Sequence, residues 1–259
     1  SRGLGDVYKR QVKSNQSITF NTLPAQVFTN APFALSAVAS SSLPVSYAVA
    51  SGPATVVGNT VTITGVGKVV ITASQAGNGS YNPAADVNQE FNVSQANQIL
   101  SFDLSSLSGI TYGDSPINLS TYAGTTSGLP VTFQVVSGPG TISGSTLTIT
   151  GAGSIVIRAS QAGNVNYTSA TPINQTLVVA KKPITVTAVS TNRFANTANP
   201  AFNVSYATFV GSDTAAGIDT PPSVTTTANL ASPTGSYDLV PSGAVDDSYS
   251  LSYVNGTLT

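Results

Sequence analysis

Asp213, Asp219, Asp246 and Asp247 fall within one stretch of this chain, and they are its best candidates for chemistry. Asp246 and Asp247 are adjacent. On a strand, neighbouring side chains point to opposite faces, so the two cannot flank a glycosidic bond as an acid and a base or nucleophile. In a loop they could offer oxygens to calcium, which takes roughly six to eight, yet no spaced Asp/Asn calcium loop surrounds them. The expectation is a solvated loop without metal. Tyr122, Tyr237 and Tyr249 read as exposed rings able to stack on a sugar. With Asp246 and Asp247 they form the candidate ligand loops.

Other motifs carry less. Gly65-Val-Gly-Lys68 lacks the P-loop pattern: position 62 is Thr, Val69 replaces the required Ser/Thr, and the equivalent of Lys68 farther along is Ser154. Lys68 itself reads as lying at a turn, unsuited to an isopeptide bond, which needs a buried Lys beside a carboxylate. Asn-x-Ser/Thr triplets such as Asn78–Ser80 and Asn166–Thr168 are expected by chance in a chain this rich in those residues.

What is missing removes whole classes of function. There is no Cys, hence no disulfide, thiolate metal site or thiol nucleophile, and no His, hence no Ser/His/Asp triad and no usual general base. Trp is absent as well, which weakens a sugar platform, and with no Met the chain reads as a fragment or processed product. The reading is that no residue is catalytic, none binds a cofactor, and the protein is not an enzyme.

Residues 1–13 differ in composition from the rest of the chain. "SRGLGDVYKRQ" resembles the translated sequencing-adaptor text at the starts of metagenomic protein predictions, and such text belongs to no fold. Without residues 1–13, five Lys/Arg face nine Asp/Glu, a net charge of about −4, which argues against nucleic acid. No apolar run reaches the ~18–20 residues of a membrane span.

The elements that position these residues are strands. Only 7% of the 259 residues are charged, Thr and Val abound, and no long helical period occurs. From Leu43 to Gln89 the chain aligns without gaps to Leu129 to Gln175, at an offset of 86 residues. Within each copy apolar residues alternate with polar ones: Val45, Tyr47 and Val49 match Val131, Phe133 and Val135. Val69, Ile71 and Ala73 match Ile155, Ile157 and Ala159. Period-two alternation with turns between predicts short strands buried on one face, about seven per copy, in an aligned sandwich.

"ITASQAGNGSY" (71–81) returns as "IRASQAGNVNY" (157–167). The repeated text reads as a corner rather than a twinned ligand site. Gly77 and Gly163 supply positive φ, Asn78 and Asn164 bond their own backbone, and Tyr81 and Tyr167 cap the end of the sandwich, each hydroxyl closing a loop hydrogen bond.

Through "GLPVTF", "STLTITGAGSIVI" and "ASQAGNVNYTSA", residues 14–181 resemble tandem bacterial immunoglobulin-like repeats of surface proteins. The second copy carries the turn "TYGD" (111–114), where the first has "VFTN" (27–30). "KPITVTA", "ANPAF", "FVGSDT", "SPTGSY" and "YVNGTLT" resemble an MBG domain, with Phe194-Ala195 in place of its Tyr-Gly pair, and Thr259 falls within what reads as its last strand. The domains are expected at 14–95, 96–181 and 182–259, the third truncated, with Pro183 discouraging regular structure through the junction at 180–183. These resemblances imply an all-β, elongated array of immunoglobulin-like sandwiches with a β-rich MBG module. They further imply a monomeric spacer segment of a bacterial, adhesin-like, extracellular or cell-surface protein. The alternative is a module that binds surface glycans or proteins through its loop ends, with no nucleic-acid partner.

Overall fold

A computed structural model describes residues 12–259, so the expectation for the first thirteen residues falls largely outside the described residues. Val12 and Lys13 are exposed, and Ser14 already forms a parallel bridge with Tyr81. The described residues are all-β apart from short 3-10 turns at Leu119–Tyr122 and Ala215–Gly217. The chain divides into two compact units. One is the chain up to Ile99 with Ala162–Ala170; the other is Leu100–Gln161 with Thr171–Thr259.

In the first unit, a four-stranded sheet runs in the order Gln26–Val27, Val87–Ser94, Gly67–Ser74, Ser46–Ser51. A three-stranded sheet (Phe33–Ala34, Thr60–Ile63, Ala54–Val57) and the pair Ile18–Phe20 with Ala37–Ala39 accompany it. The long strand Gly67–Ser74 explains the arrangement: Val69, Ile71 and Ala73 point inward and are fully buried, while Lys68 on the other face is exposed. They pack with Phe20, Val61, Phe91 and Val93 into one core, where truncating a residue such as Ile71 to Ala costs about 2–5 kcal/mol. Lys68 thus lies in a strand rather than at a turn, and its ammonium pairs with Glu90 at 2.6 Å in the open, a contact worth at most ~1 kcal/mol.

The second unit repeats this plan. Thr132–Ser137, Gly153–Ser160 and Ile173–Val179 form one sheet, and Ile117–Asn118, Thr146–Ile149 and Gly140–Ser143 another. Even the irregularity recurs, between Val49 and Ser51 in one copy and between Val135 and Ser137 in the other. Ring contacts recur too, Phe20 on Tyr47 at 5.8 Å and Phe102 on Phe133 at 5.5 Å.

The C-terminal part of that unit has a different topology. Lys182–Ala188 pairs antiparallel with Val204–Tyr206 and parallel with Tyr249–Val254. A second sheet joins Ser223–Thr225, Tyr237–Ser242 and Gly256–Leu258 over Ala188, Leu239 and Leu258. Pro183 lies inside the first of these strands, opposite Ser250, contrary to the expectation that it interrupts the chain. The Lys182 N–H donates to Ser248 O, so the missing N–H of Pro183 falls on the other edge, where hydrogen bonding reaches only as far as Thr185 O, which accepts the Ala207 N–H. A proline near a strand start on an unpaired edge breaks no ladder.

Candidate functional site

Gly77 (φ +75°) and Gly163 (φ +78°) hold backbone that side chains resist. An added Cβ would sit 2.4 Å from Tyr81 O in one corner and 2.3 Å from Tyr167 O in the other. Asn78 Oδ1 accepts the N–H groups of Ser80 (2.8 Å) and Tyr81 (2.9 Å), and Asn164 Oδ1 does the same for Asn166 and Tyr167 at the same lengths. The tyrosine hydroxyls do not close these loops. Among the described residues neither makes a hydrogen bond, because main-chain bonds such as Asn78 N–H to Tyr81 O (3.0 Å) already satisfy the turn.

The candidate ligand residues Asp246, Asp247 and Tyr249 prove to be a third corner of this kind. Asp246 Oδ1 accepts the N–H groups of Ser248 (2.7 Å) and Tyr249 (2.8 Å). In all three corners the tyrosine makes a parallel pairing: Ser14 with Tyr81 and Ala96 with Tyr167 as isolated bridges, and Lys182, the first residue of its strand, with Tyr249. Asp213, Asp219 and Asp247 are exposed, but the expectation of a solvated loop is corrected for Asp246, 7% exposed, and that of an exposed ring for Tyr249, 4%. Tyr112, carried by the Thr111–Asp114 turn, packs on the Tyr249 ring. That turn closes through Asp114 N–H to Thr111 O at 3.1 Å, and Asp114 Oδ2 accepts the Thr111 N–H at 2.8 Å.

Around this corner lies a cavity of about 240 Å³ lined by Tyr112, Asp213, Asp219, Asp246, Asp247 and Tyr249. Asp213 Oδ2 accepts both phenol protons, from Tyr112 at 2.9 Å and Tyr249 at 2.7 Å. The Val210 N–H donates to the Tyr249 oxygen at 2.9 Å. Asp219 Oδ2 accepts the Asp247 N–H at 2.8 Å, and Lys181 Nζ donates to Asp246 O at 2.6 Å. Tyr112 and Phe209 meet the Tyr249 ring edge to face, at 5.6 and 5.4 Å. Burial above all pushes the Tyr249 hydroxyl up to about 12; the Val210 N–H pulls the other way, and the Asp213 carboxylate adds to the rise. Tyr112 is raised for the same reasons, burial first and then Asp213. Both phenols are held as neutral donors, and three carboxylates each spend an oxygen on a bond that fixes chain conformation. Among the described residues no group of three or more His, Cys, Asp or Glu is placed to hold a metal.

The remaining candidates lie elsewhere. Tyr122 ends a 3-10 turn and is half-buried. Tyr237, also half-buried, donates its hydroxyl to Pro233 O at 2.9 Å. Tyr122 and Tyr237 thus do not join Asp246, Asp247 and Tyr249 in the cavity.

The Asn164–Tyr167 corner is covered in the same manner. The Phe28 ring meets Tyr167 edge to face at 5.4 Å, the Val66 N–H donates to Asn166 Oδ1 at 3.1 Å, and Gln95 Nε2 donates to Asn164 O at 2.7 Å. Position for position these match Tyr112 on Tyr249, Ala152 N–H to Ser248 Oγ at 3.4 Å, and Lys181 to Asp246 O. The pattern Asx-x-Ser/Asn-Tyr, read at 78–81, 164–167 and 246–249, was the sequence signal for the third corner.

No helix among the described residues is long and apolar enough to cross a membrane. Among solved structures, the chain is similar to Drosophila N-cadherin EC1-3 (10% identity, 92% of this chain and 97% of that one, TM-score 0.33). It is also similar to the titin I-band fragment I67-I69 (12% identity, 94% and 98%, TM-score 0.33). A third is the N-terminal four Ig domains of Dscam1 isoform 4.44 (12% identity, 94% and 74%, TM-score 0.31). A search of curated proteins finds no match. The family comparison does: residues 184–259, which hold Asp213, Asp246 and Tyr249, match the MBG domain (YGX type).

Proposed function

We propose that this chain is a non-catalytic spacer of an extracellular, adhesin-like bacterial surface protein, its modules laid end to end over 14–95, 96–181 and 182–259. One observation carries the reading. The same arrangement of aromatic edge, turn N–H and carbonyl-seeking side chain covers the corner at 164–167 and the corner at 246–249. A segment that repeats both its sandwiches and the contacts at their corners gains length without gaining chemistry. Asp213, Asp219 and Asp246 each spend an oxygen, and Tyr112 and Tyr249 their phenol protons, on holding the second of these corners.

Small-angle scattering of the intact chain tests this. At ~3.3 Å per strand residue plus loops, three modules end to end reach a maximum dimension on the order of 100–120 Å. A value of about 60 Å, near that of a compact globule of this length, would remove the physical basis of the spacer.

A further inference from the structure

The corner at Asn78–Tyr81 offers every group that its two counterparts use. At 164–167 and 246–249 those groups are a carbonyl, a side-chain acceptor and a ring edge, and each is engaged. Asn164 O takes Gln95, Asn166 Oδ1 takes the Val66 N–H, and the Tyr167 ring takes Phe28. Asp246 O takes Lys181, Ser248 Oγ takes the Ala152 N–H, and the Tyr249 ring takes Tyr112. The corresponding groups at the first corner are Asn78 O, Ser80 Oγ and the Tyr81 ring. Among the described residues none of the three has a hydrogen-bond or ring partner, and Ser80 is the same residue type as Ser248. The backbone is set identically, with Ser14 N–H donating to Ser80 O at 2.9 Å as Ala96 N–H does to Asn166 O and Lys182 N–H to Ser248 O. Lys13, one residue before that donor, stands where Gln95 and Lys181 stand before theirs.

From this we infer that Asn78, Ser80 and Tyr81 form a docking surface for the turn-bearing end of another module of this kind. That partner presents an aromatic side chain at the position of Phe28 or Tyr112 and a turn N–H at the position of Val66 or Ala152. Lys13 closes the contact on Asn78 O, as Lys181 does on Asp246 O. The inference rests on the spacer reading and names what its first corner receives.

The experiment extends the intact chain. A second copy of residues 96–180 is placed directly ahead of Lys13, so that its last Ala meets Lys13 as Ala180 meets Lys181. A parallel version uses a copy of 14–94. Docking slows amide exchange at Tyr81 by about tenfold or more relative to the unextended chain. The gain disappears with Tyr112→Ala confined to the added copy and shrinks with Ser80→Ala. No slowing in either extended chain overturns the proposal, as expected if a carbohydrate or an unrelated protein occupies this corner. A slowing that survives Tyr112→Ala overturns it too, because tethering alone then accounts for it. Scattering reads the unextended chain, so the spacer reading can stand or fall independently of this result.

Discussion

The corners at 164–167 and 246–249 are covered by the same three contacts, yet the second carries an extra lock. Where Phe28 offers only a ring to Tyr167, Tyr112 also offers a hydroxyl, and Asp213 gathers it with that of Tyr249. The comparison separates what the arrangement requires from what it tolerates. It requires an aromatic edge and a fixed Asx turn, and it accommodates a carboxylate at its rim where two phenols can donate to it. A buried hydroxyl is costly unless hydrogen-bonded, which is why the Tyr112 hydroxyl occurs together with the Asp213 acceptor in one place and both are missing from the other.

Breaking the shared turn gives the largest effect. Gly77→Ala and Gly163→Ala each place a Cβ within 2.4 Å of a backbone carbonyl at positive φ. Backbone strain and overpacking together cost about 3 kcal/mol or more at either site. Denaturant unfolding checks this, and a loss below about 1 kcal/mol would show that the turn can rearrange.

Removing the lock comes next. Asp213→Asn weakens two hydrogen bonds to a charged acceptor, each worth about 1.5–3 kcal/mol, so a loss of about 2 kcal/mol is expected. Tyr112→Phe turns the second corner's cover into a likeness of the first and costs about 1–2 kcal/mol. Phe28→Tyr, with no carboxylate in place to accept, brings no gain. Equal effects of the Tyr112 and Phe28 substitutions would erase the distinction.

Alkali separates the two corners without mutation. The Tyr249 hydroxyl is raised in the folded protein from 10.0 to about 12. Its contribution is therefore fully present below the unfolded value and is lost as pH rises through the folded one. Stability of the transition containing Tyr249 falls between about pH 10 and 12, and Tyr249→Phe flattens that fall. An unchanged slope in the variant would assign the alkaline loss to other groups. The smallest effect is expected of Asn164→Asp, which copies Asp246 into the first of the two covered corners: a carboxylate accepts the same turn N–H groups, and the change stays within about 0.5 kcal/mol at pH 7.

These residues also show what was legible in one dimension. Period-two alternation exposed the strands of both copies because each buries one face, and repeated text exposed two corners. The third stayed hidden. Val245 stands before Asp246 where Gly77 and Gly163 stand before Asn78 and Asn164, so the lead-in has no glycine to mark a turn. Asp246 and Tyr249 looked solvent-facing because a carboxylate is normally exposed. Tyr249 is covered by Tyr112, more than a hundred residues away in sequence, and by Phe209, neither of which local sequence announces. Pro183 misled for a related reason: which edge of a strand lacks a neighbour is a fact of topology, not of local sequence.

The parallel pairing of Lys182–Thr187 with Tyr249–Val254 has a mechanical consequence. Tension applied to the two ends of this module draws those strands past each other lengthwise. Their hydrogen bonds are then loaded together in shear, whereas a hairpin pulled open at its end loses its bonds one at a time. Among the described residues, parallel pairing in the first copy amounts to the bridge of Ser14 with Tyr81 and the two pairs of Gln26–Val27 on Val93–Ser94, and in the second to the bridges of Ala96 with Tyr167 and Thr111 with Ala180. When single molecules are stretched, residues 182–259 should therefore yield last and at the highest force. Their yielding before either repeat would mean that the six-pair parallel ladder does not bear the load.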